Sequence, residues 1–196
     1  ARVELVKGCL ARKEYDRALK LIEECYVYPH NLGEGKLPGA QENDFNYYKA
    51  RILQETGHAD EARALYEAAS VGNSQPAAAI YYNDQKPDKI FYQGLALLRL
   101  GRETEARSRF NNLISYGEKH LYDVFKMDYF AVSLPDLQIW EDDMDRKNVI
   151  HCNYLMGLGY LGLGDKTKAE KYFAAAAELD NNHQGVQVHR MMLNEK

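Results

Sequence analysis

Small and aromatic residues recur along this chain in one spacing. The stretch "KTKAEKYFAAAAELD" carries Ala169, Phe173 and Ala176, an A-x3-F-x2-A pattern that sets all three on one helical face. "GHADEARALYEAAS" repeats it with Ala62, Tyr66 and Ala69, and "GRETEARSRFNNLI" with Ala106, Phe110 and Leu113. "KEYDRALKLIEEC" is a looser copy, with Tyr15, Ala18, Ile22 and Cys25. Gly57, Gly101 and Gly164 each stand five residues before the anchor alanine, and Lys13 takes that place in the first copy. A second helical segment lies upstream of each turn, with Ala50, Gly94 and Gly157 seven residues before the turn glycine and Val6 at the matching place in the first copy. Such a pattern predicts helix–turn–helix units. A small side chain lets two helices approach, and a glycine ends the first helix in a left-handed conformation. Four hairpins are expected at about 1–26, 43–70, 88–115 and 146–180, with a capping helix at about 182–194.

The anchor alanines are 44, 44 and 63 residues apart, so long connectors at 27–42, 71–87 and 116–145 separate the hairpins. Pro29, Pro38, Pro76, Pro87 and Pro135 all fall in these connectors, as expected of a residue excluded from helix interiors. The first connector, "YPHNLGEGKLPGAQEN", reads as a loop. The second holds a short helix at Ala77–Tyr82. The third holds a helix near Glu118–Lys126, an apolar stretch at Tyr129–Leu134 and a turn at Pro135, and the last hairpin starts near Asp145.

These units resemble the tetratricopeptide repeat, a helical hairpin of about 34 residues with the signature W-x2-L-G-x2-Y…A-x3-F…P. Gly157, Tyr160, Ala169, Phe173 and Ala176 fall on it, while Asn153, Met156 and Asn181 stand where the signature has Trp, Leu and Pro. Gly94, Ala106 and Phe110 fit in the third copy. The resemblance implies an all-α fold, an α-α superhelix in one domain over 1–196. The phrases "YPHNLGEGK", "YYNDQKPDKIFYQGLALLRLG" and "DYFAVSLPDLQIWEDD" further resemble the repeat tail of large bacterial proteins. Those proteins carry an N-terminal domain of unknown function with mutarotase-like character, which implies a carbohydrate-active parent. The chain opens on Ala1 inside a helical pattern, so a piece of a longer protein is expected.

Composition changes this picture little. With 45% hydrophobic and 28% charged residues the chain reads as globular, and a net charge of −4 offers nucleic acid or an anionic membrane no general attraction. No apolar run reaches the ~18 residues of a membrane span. Three cysteines at irregular spacing, Cys9, Cys25 and Cys152, suggest thiols in a reducing cytoplasm rather than a disulfide framework. "GLGYLG" at 157–162 spells the dinucleotide fingerprint G-x-G-x-x-G, but the sequence after it is helical, so no nucleotide cofactor is expected.

Other chemistry fares no better. The acidic run Glu141, Asp142, Asp143 and Asp145 lacks an EF-hand pattern and reads as a helix start favoured by the macrodipole. His183 and His189 are six apart and do not share a helical face, so no metal is expected. Cys152 and His151, as helical neighbours, point apart and do not form a nucleophile–base pair. "NLGEGK" lacks the spacing of a phosphate loop. No catalysis is expected from this chain alone.

The resemblance also implies that the first helix of each pair lines a concave groove. Carried over, that face takes Tyr47, Tyr48 and Arg51, then Phe91, Tyr92, Leu95 and Leu98, then Tyr154, Leu155, Leu158 and Leu161, with Lys7 and Leu10 from the first copy. Only Lys7 and Arg51 would remain of the clamp by which chaperone-tail binders of the family hold a terminal carboxylate. The expected function is protein interaction, with a partner or with the parent's own N-terminal domain. Two alternatives stand beside it. A connector carrying Tyr28, His30, Asn31 and Glu34, with Trp140, could reach a carbohydrate-active enzyme site, or the array could be a generic peptide scaffold. The third connector, with Phe130, Val132, Leu134 and Trp140, could instead fold back and fill the groove.

Overall fold

The computed structural model describes residues 2–28, 36, 40–78, 84–124 and 143–194. Among them every regular element is helical. The first hairpin is α1 (Arg2–Ala11) and α2 (Tyr15–Glu23), the second α3 (Asn43–Glu55) and α4 (Ala59–Ser70). The third is α5 (Pro87–Arg99) and α6 (Glu103–His120), the fourth α7 (Met144–Gly162) and α8 (Lys166–Leu179). α9 (Gln184–Met191) follows, and short 3-10 turns at Glu24–Tyr26 and Met192–Asn194 extend α2 and α9. Each helix packs on the next, so the hairpins stack into an all-α superhelix.

One turn is built four times. Its left-handed residue is Gly57, Gly101 or Gly164, with φ of 86°, 74° and 80°, and in the first hairpin it is Lys13, with φ of 60°. Each turn closes with the same two backbone bonds. His58 N–H donates to Leu53 C=O and Gly57 N–H to Gln54 C=O; Arg102, Asp165 and Glu14 repeat the first bond to Leu97, Tyr160 and Cys9 at 2.9 Å. This is the Schellman arrangement, which satisfies carbonyls that the helix end leaves open.

Inside each hairpin the helices meet where the sequence set a small residue. A Cβ on Gly94 would lie 2.3 Å from the Phe110 ring, and one on Gly157 would lie 2.5 Å from the Phe173 ring. Ala18, Ala62, Ala106 and Ala169 are all buried. Gly159 and Gly162 serve the next interface. They bring α7 onto α6, where a Cβ on Gly159 would lie 2.7 Å from the Phe110 carbonyl oxygen and one on Gly162 would lie 2.2 Å from the Phe110 ring. "GLGYLG" is therefore a helix-packing face.

Side-chain amides tie the second connector to the helices. Asn43 donates to the Ala69 and Val71 carbonyls, Gln93 to Asn73 and Asn112 to Ser74. Pro87 opens α5 at a position where its missing N–H costs nothing. Asp143 caps α7 by accepting from Arg146 N–H at 2.8 Å, which gives that aspartate of the acidic run a structural task. The helix expected near Glu118–Lys126 is not separate. Glu118–His120 end α6, Leu121 and Tyr122 turn, and Asn148 of α7 donates to the His120 carbonyl at 2.7 Å. A neighbouring helix thus supplies the cap that stops α6. Ala77 and Ala78 are not helical; the rest of the expected short helix, and the stretch Tyr129–Leu134, lie outside the described residues.

Candidate functional site

A cleft of ≈ 820 Å³ opens on the side where the first helices of the hairpins converge. α1 supplies Arg2, Val3, Glu4 and Lys7, and the turn after α2 supplies Glu24, Cys25 and Val27. The first turns of α3 and α5 add Asp44, Phe45, Asp88 and Lys89, with Lys86 just ahead of α5. Tyr92 of α5 and Tyr154 of α7 reach it, and α9 closes it with Gln184, Gly185, Val188 and His189.

Six of its charges pair locally. Arg2 meets Glu24 at 3.1 Å, Lys7 meets Glu4 at 3.0 Å, and Lys89 meets Asp44 in a nearly buried pair. Lys89 Nζ also lies 5.1 Å from the Phe45 ring centre, and Lys7 Nζ lies 5.3 Å from that of Tyr48. A cation over an aromatic face is attracted to the ring quadrupole. The result is a groove with an aromatic and aliphatic floor and a rim whose charges largely neutralise one another.

Of the residues expected to line a groove, Tyr47, Tyr48, Phe91, Tyr92, Tyr154, Leu155 and Leu158 are buried, and only Tyr92 and Tyr154 also border the cleft. Arg51, Leu95, Leu10 and Leu161 are half-buried, and Leu98 is exposed. The tyrosines form a ladder through the interior. Tyr47 lies 5.9 Å from Tyr66 and 5.6 Å from Tyr92, and Tyr48 and Tyr92 share a hydroxyl–hydroxyl bond at 3.1 Å. Burial pushes the Tyr92 and Tyr154 phenols well above their ordinary range, so both stay neutral. Tyr28 is exposed beyond the end of the turn after α2. His30, Asn31, Glu34 and Trp140 lie outside the described residues, as do Phe130, Val132 and Leu134.

The wall that α9 forms has its own chemistry. His183 caps the helix by accepting from Val186 N–H at 3.1 Å. His189 is fully inside, with Nδ1 2.8 Å from the Gly185 carbonyl and 3.1 Å from the Tyr154 hydroxyl. Its Nε2 is buried with no hydrogen-bond partner among the described residues. Such an atom costs about 1–3 kcal/mol relative to a satisfied one. Burial, helped by the Lys7 charge, lowers the His189 pKa to about 3, against the opposing pull of Asp44. The ring is a neutral imidazole at physiological pH.

Catalytic groupings elsewhere reduce to structure. The Cys152 thiol is pushed up to about 12 by burial, so it is not a thiolate, and it donates to Asn148. His151 bonds the Ala77 carbonyl at 2.8 Å instead. Cys9, Cys25 and Cys152 are unpaired thiols. Among the described residues no His, Cys, Asp or Glu side chains group to hold a metal ion, and no helix is long and apolar enough to cross a membrane.

Comparison with known proteins finds a family model that matches one unit. Residues 150–183 match the tetratricopeptide repeat. These residues span most of α7, all of α8 and the turn beyond. Among solved structures the chain is similar to the MamA RS-1 ArsTM double mutant at 14% identity and a TM-score of 0.29, over 99% of this chain and 84% of that one. It is also similar to YrrB, a TPR protein with an unusual peptide-binding site, at 13% identity and a TM-score of 0.28, over 97% of this chain and 90% of that one.

Proposed function

We propose that this chain is a protein-interaction module, a single tetratricopeptide-like domain whose concave cleft receives an extended or helical segment of another protein surface. One observation carries the reading: the ≈ 820 Å³ cleft is walled by five helices and the turn after α2, floored by rings and rimmed by charges of which six stand in three pairs. A surface with few unpaired charges to desolvate and an aromatic floor suits a semi-apolar segment with a polar edge.

The phrases that resemble the tail of mutarotase-linked bacterial proteins support a particular occupant, the N-terminal domain of the same parent, in the cytoplasm. In that setting the cleft is a docking face, and the chemistry belongs to the carbohydrate-active domain it holds. No nucleic acid, membrane, metal or cofactor enters this function.

Selection of twelve-residue peptides from a display library on the full chain tests the reading. Selected peptides are expected to shift the NMR signals of Val3, Phe45 and Val188, and to lose at least tenfold in affinity on Phe45→Ala. Selection that yields no binder, or binders indifferent to Phe45→Ala, would refute the cleft as the interaction site.

A further inference from the structure

α9 has eight residues, too few for a helix to persist alone in water, where even ~12–15 residues are marginal. It is helical because it is docked, and the docking is specific. At Gly185 its backbone lies directly on Tyr154, where a Cβ would sit 2.6 Å from the phenol oxygen. The next residue, Val186, is fully buried. Four positions after the glycine, the His189 ring stands edge-on to Phe91 with centres 5.5 Å apart, and it lies 5.8 Å from both Tyr92 and Tyr154. α9 thus sits on rings contributed by the first helices of the third and fourth hairpins, on the concave side, one wall of the cleft away from α1.

The contact is good in shape and incomplete in chemistry. Among the described residues His189 Nε2 has no partner in the closed position, and undocking returns it to water. Val188 is buried as well, and Met192 and Leu193 just beyond α9 pack against the core; the polar anchors are at the rim. Arg190 pairs with Glu170, both half-exposed, and Lys166 donates to the Leu193 carbonyl at 2.6 Å. An exposed ion pair adds little.

We propose that α9 is a built-in occupant of the concave face, a short helix that undocks so that a partner helix of the same chemistry can lie on Phe91, Tyr92 and Tyr154. That chemistry is a glycine at the closest approach, a β-branched residue beside it and an aromatic or imidazole ring four positions on. The proposal rests on the cleft being the interaction site and adds its regulation. A partner must exceed α9's own hold, so the face is read only by a segment that fits better than the chain's own end or is present at high local concentration.

The test uses the full chain with Gly185→Val, in which the added side chain overlaps Tyr154 and α9 cannot seat, while every receiving ring is left in place. The probe is a fluorescein-labelled synthetic peptide of residues 182–194. Anisotropy is expected to show at least tenfold tighter binding to the variant than to the parent chain. A peptide carrying the same Gly185→Val change is expected to bind neither. Equal binding to the two chains, binding to neither, or equal binding of the two peptides overturns the proposal. Hydrogen exchange on the unaltered chain decides the matter if the variant misfolds. The amides of Val186–His189 are expected to exchange at least a hundredfold faster than those of Phe173–Ala176 in α8. Equal protection would mean that α9 opens only with the whole molecule, and overturns the proposal. Library peptides that bind parent and variant alike would leave the cleft standing and remove only the α9 gate.

Discussion

At the closest crossing inside each hairpin, the C-terminal half of the molecule sets glycine against phenylalanine, Gly94 with Phe110 and Gly157 with Phe173. The equivalent places in the N-terminal half hold Ala50 and Tyr66, then Val6 and Ile22, all buried. The Gly and Ala places go with a ring, and the Val place goes with an aliphatic chain. The lesson is that a crossing that holds a ring keeps its partner small, whereas one with a larger partner gives the ring up. In the third hairpin the ring is held from two sides, since Phe110 is approached by Gly94 within its hairpin and by Gly162 of α7. The halves also differ on the concave side. Phe91 is covered by α9, whereas Val3 and Phe45 border the open cleft.

The sharpest way to break this comparison is to move one pairing into the other half. Gly94→Val places side-chain carbons inside the Phe110 ring and is expected to cost about 3 kcal/mol, the upper range of overpacking. Adding Phe110→Ile recreates the Val6–Ile22 pairing and is expected to recover about half of that loss. Recovery stays partial because Ile leaves unfilled the space against Gly162. Urea unfolding of both variants measures it. A double variant as unstable as Gly94→Val alone would show that the pair is not exchangeable.

A smaller effect separates the covered from the open concave face. His189 has a folded pKa of about 3 and an ordinary value of 6.5, so the unfolded or undocked state takes up a proton that the docked state refuses. Stability from docking is therefore complete above 6.5 and is lost progressively as pH falls towards 3. Between pH 7.5 and 5 the loss is roughly 2 kcal/mol. His183, whose pKa burial also lowers, acts with the same sign, since a protonated ring cannot accept the Val186 N–H. Lys7 and Asp44 are the other charged groups that act on His189. The protection of Val186–His189, taken as the exchange rate relative to an unstructured chain at the same pH, should fall at pH 5 in the parent chain and much less in His189→Gln. An equal fall in both would place the pH dependence elsewhere.

The repeat was legible in the sequence because each of its constraints admits few residue types. A left-handed turn wants glycine, a close crossing wants a small residue, and the ring opposite must fill what is left. The cleft was not legible, for two reasons. Its walls come from the first turns of α3 and α5, where Asp44, Phe45 and Lys89 are positioned by connectors whose paths no periodicity fixes. Its last wall, α9, falls outside the repeat altogether. The groove expected from Tyr47, Tyr48, Phe91 and Tyr92 did carry a warning. These are two adjacent doublets, and neighbours on a helix point roughly 100° apart, so a doublet cannot turn both rings to one face. The structure sends the rings inward and leaves Tyr92 alone at the cleft's edge.

The smallest expected effect concerns the turn, where the halves should agree and do not. Lys13 holds the left-handed position that glycine holds in the other three hairpins. A residue with a Cβ pays about 1–2 kcal/mol in that region. Glycine there relieves the strain but gives the unfolded chain more freedom, worth about 0.4–1 kcal/mol. Lys13→Gly is therefore expected to stabilise the protein by about 0.5–1 kcal/mol. Gly101→Ala is the reverse change. A Cβ there meets nothing within 4 Å, so its cost of about 1 kcal/mol is backbone strain alone. If Lys13→Gly instead lowers the urea midpoint, the Lys13 side chain must contribute more to the first hairpin than its backbone strain takes away, and the four turns would be alike in shape but not in energy.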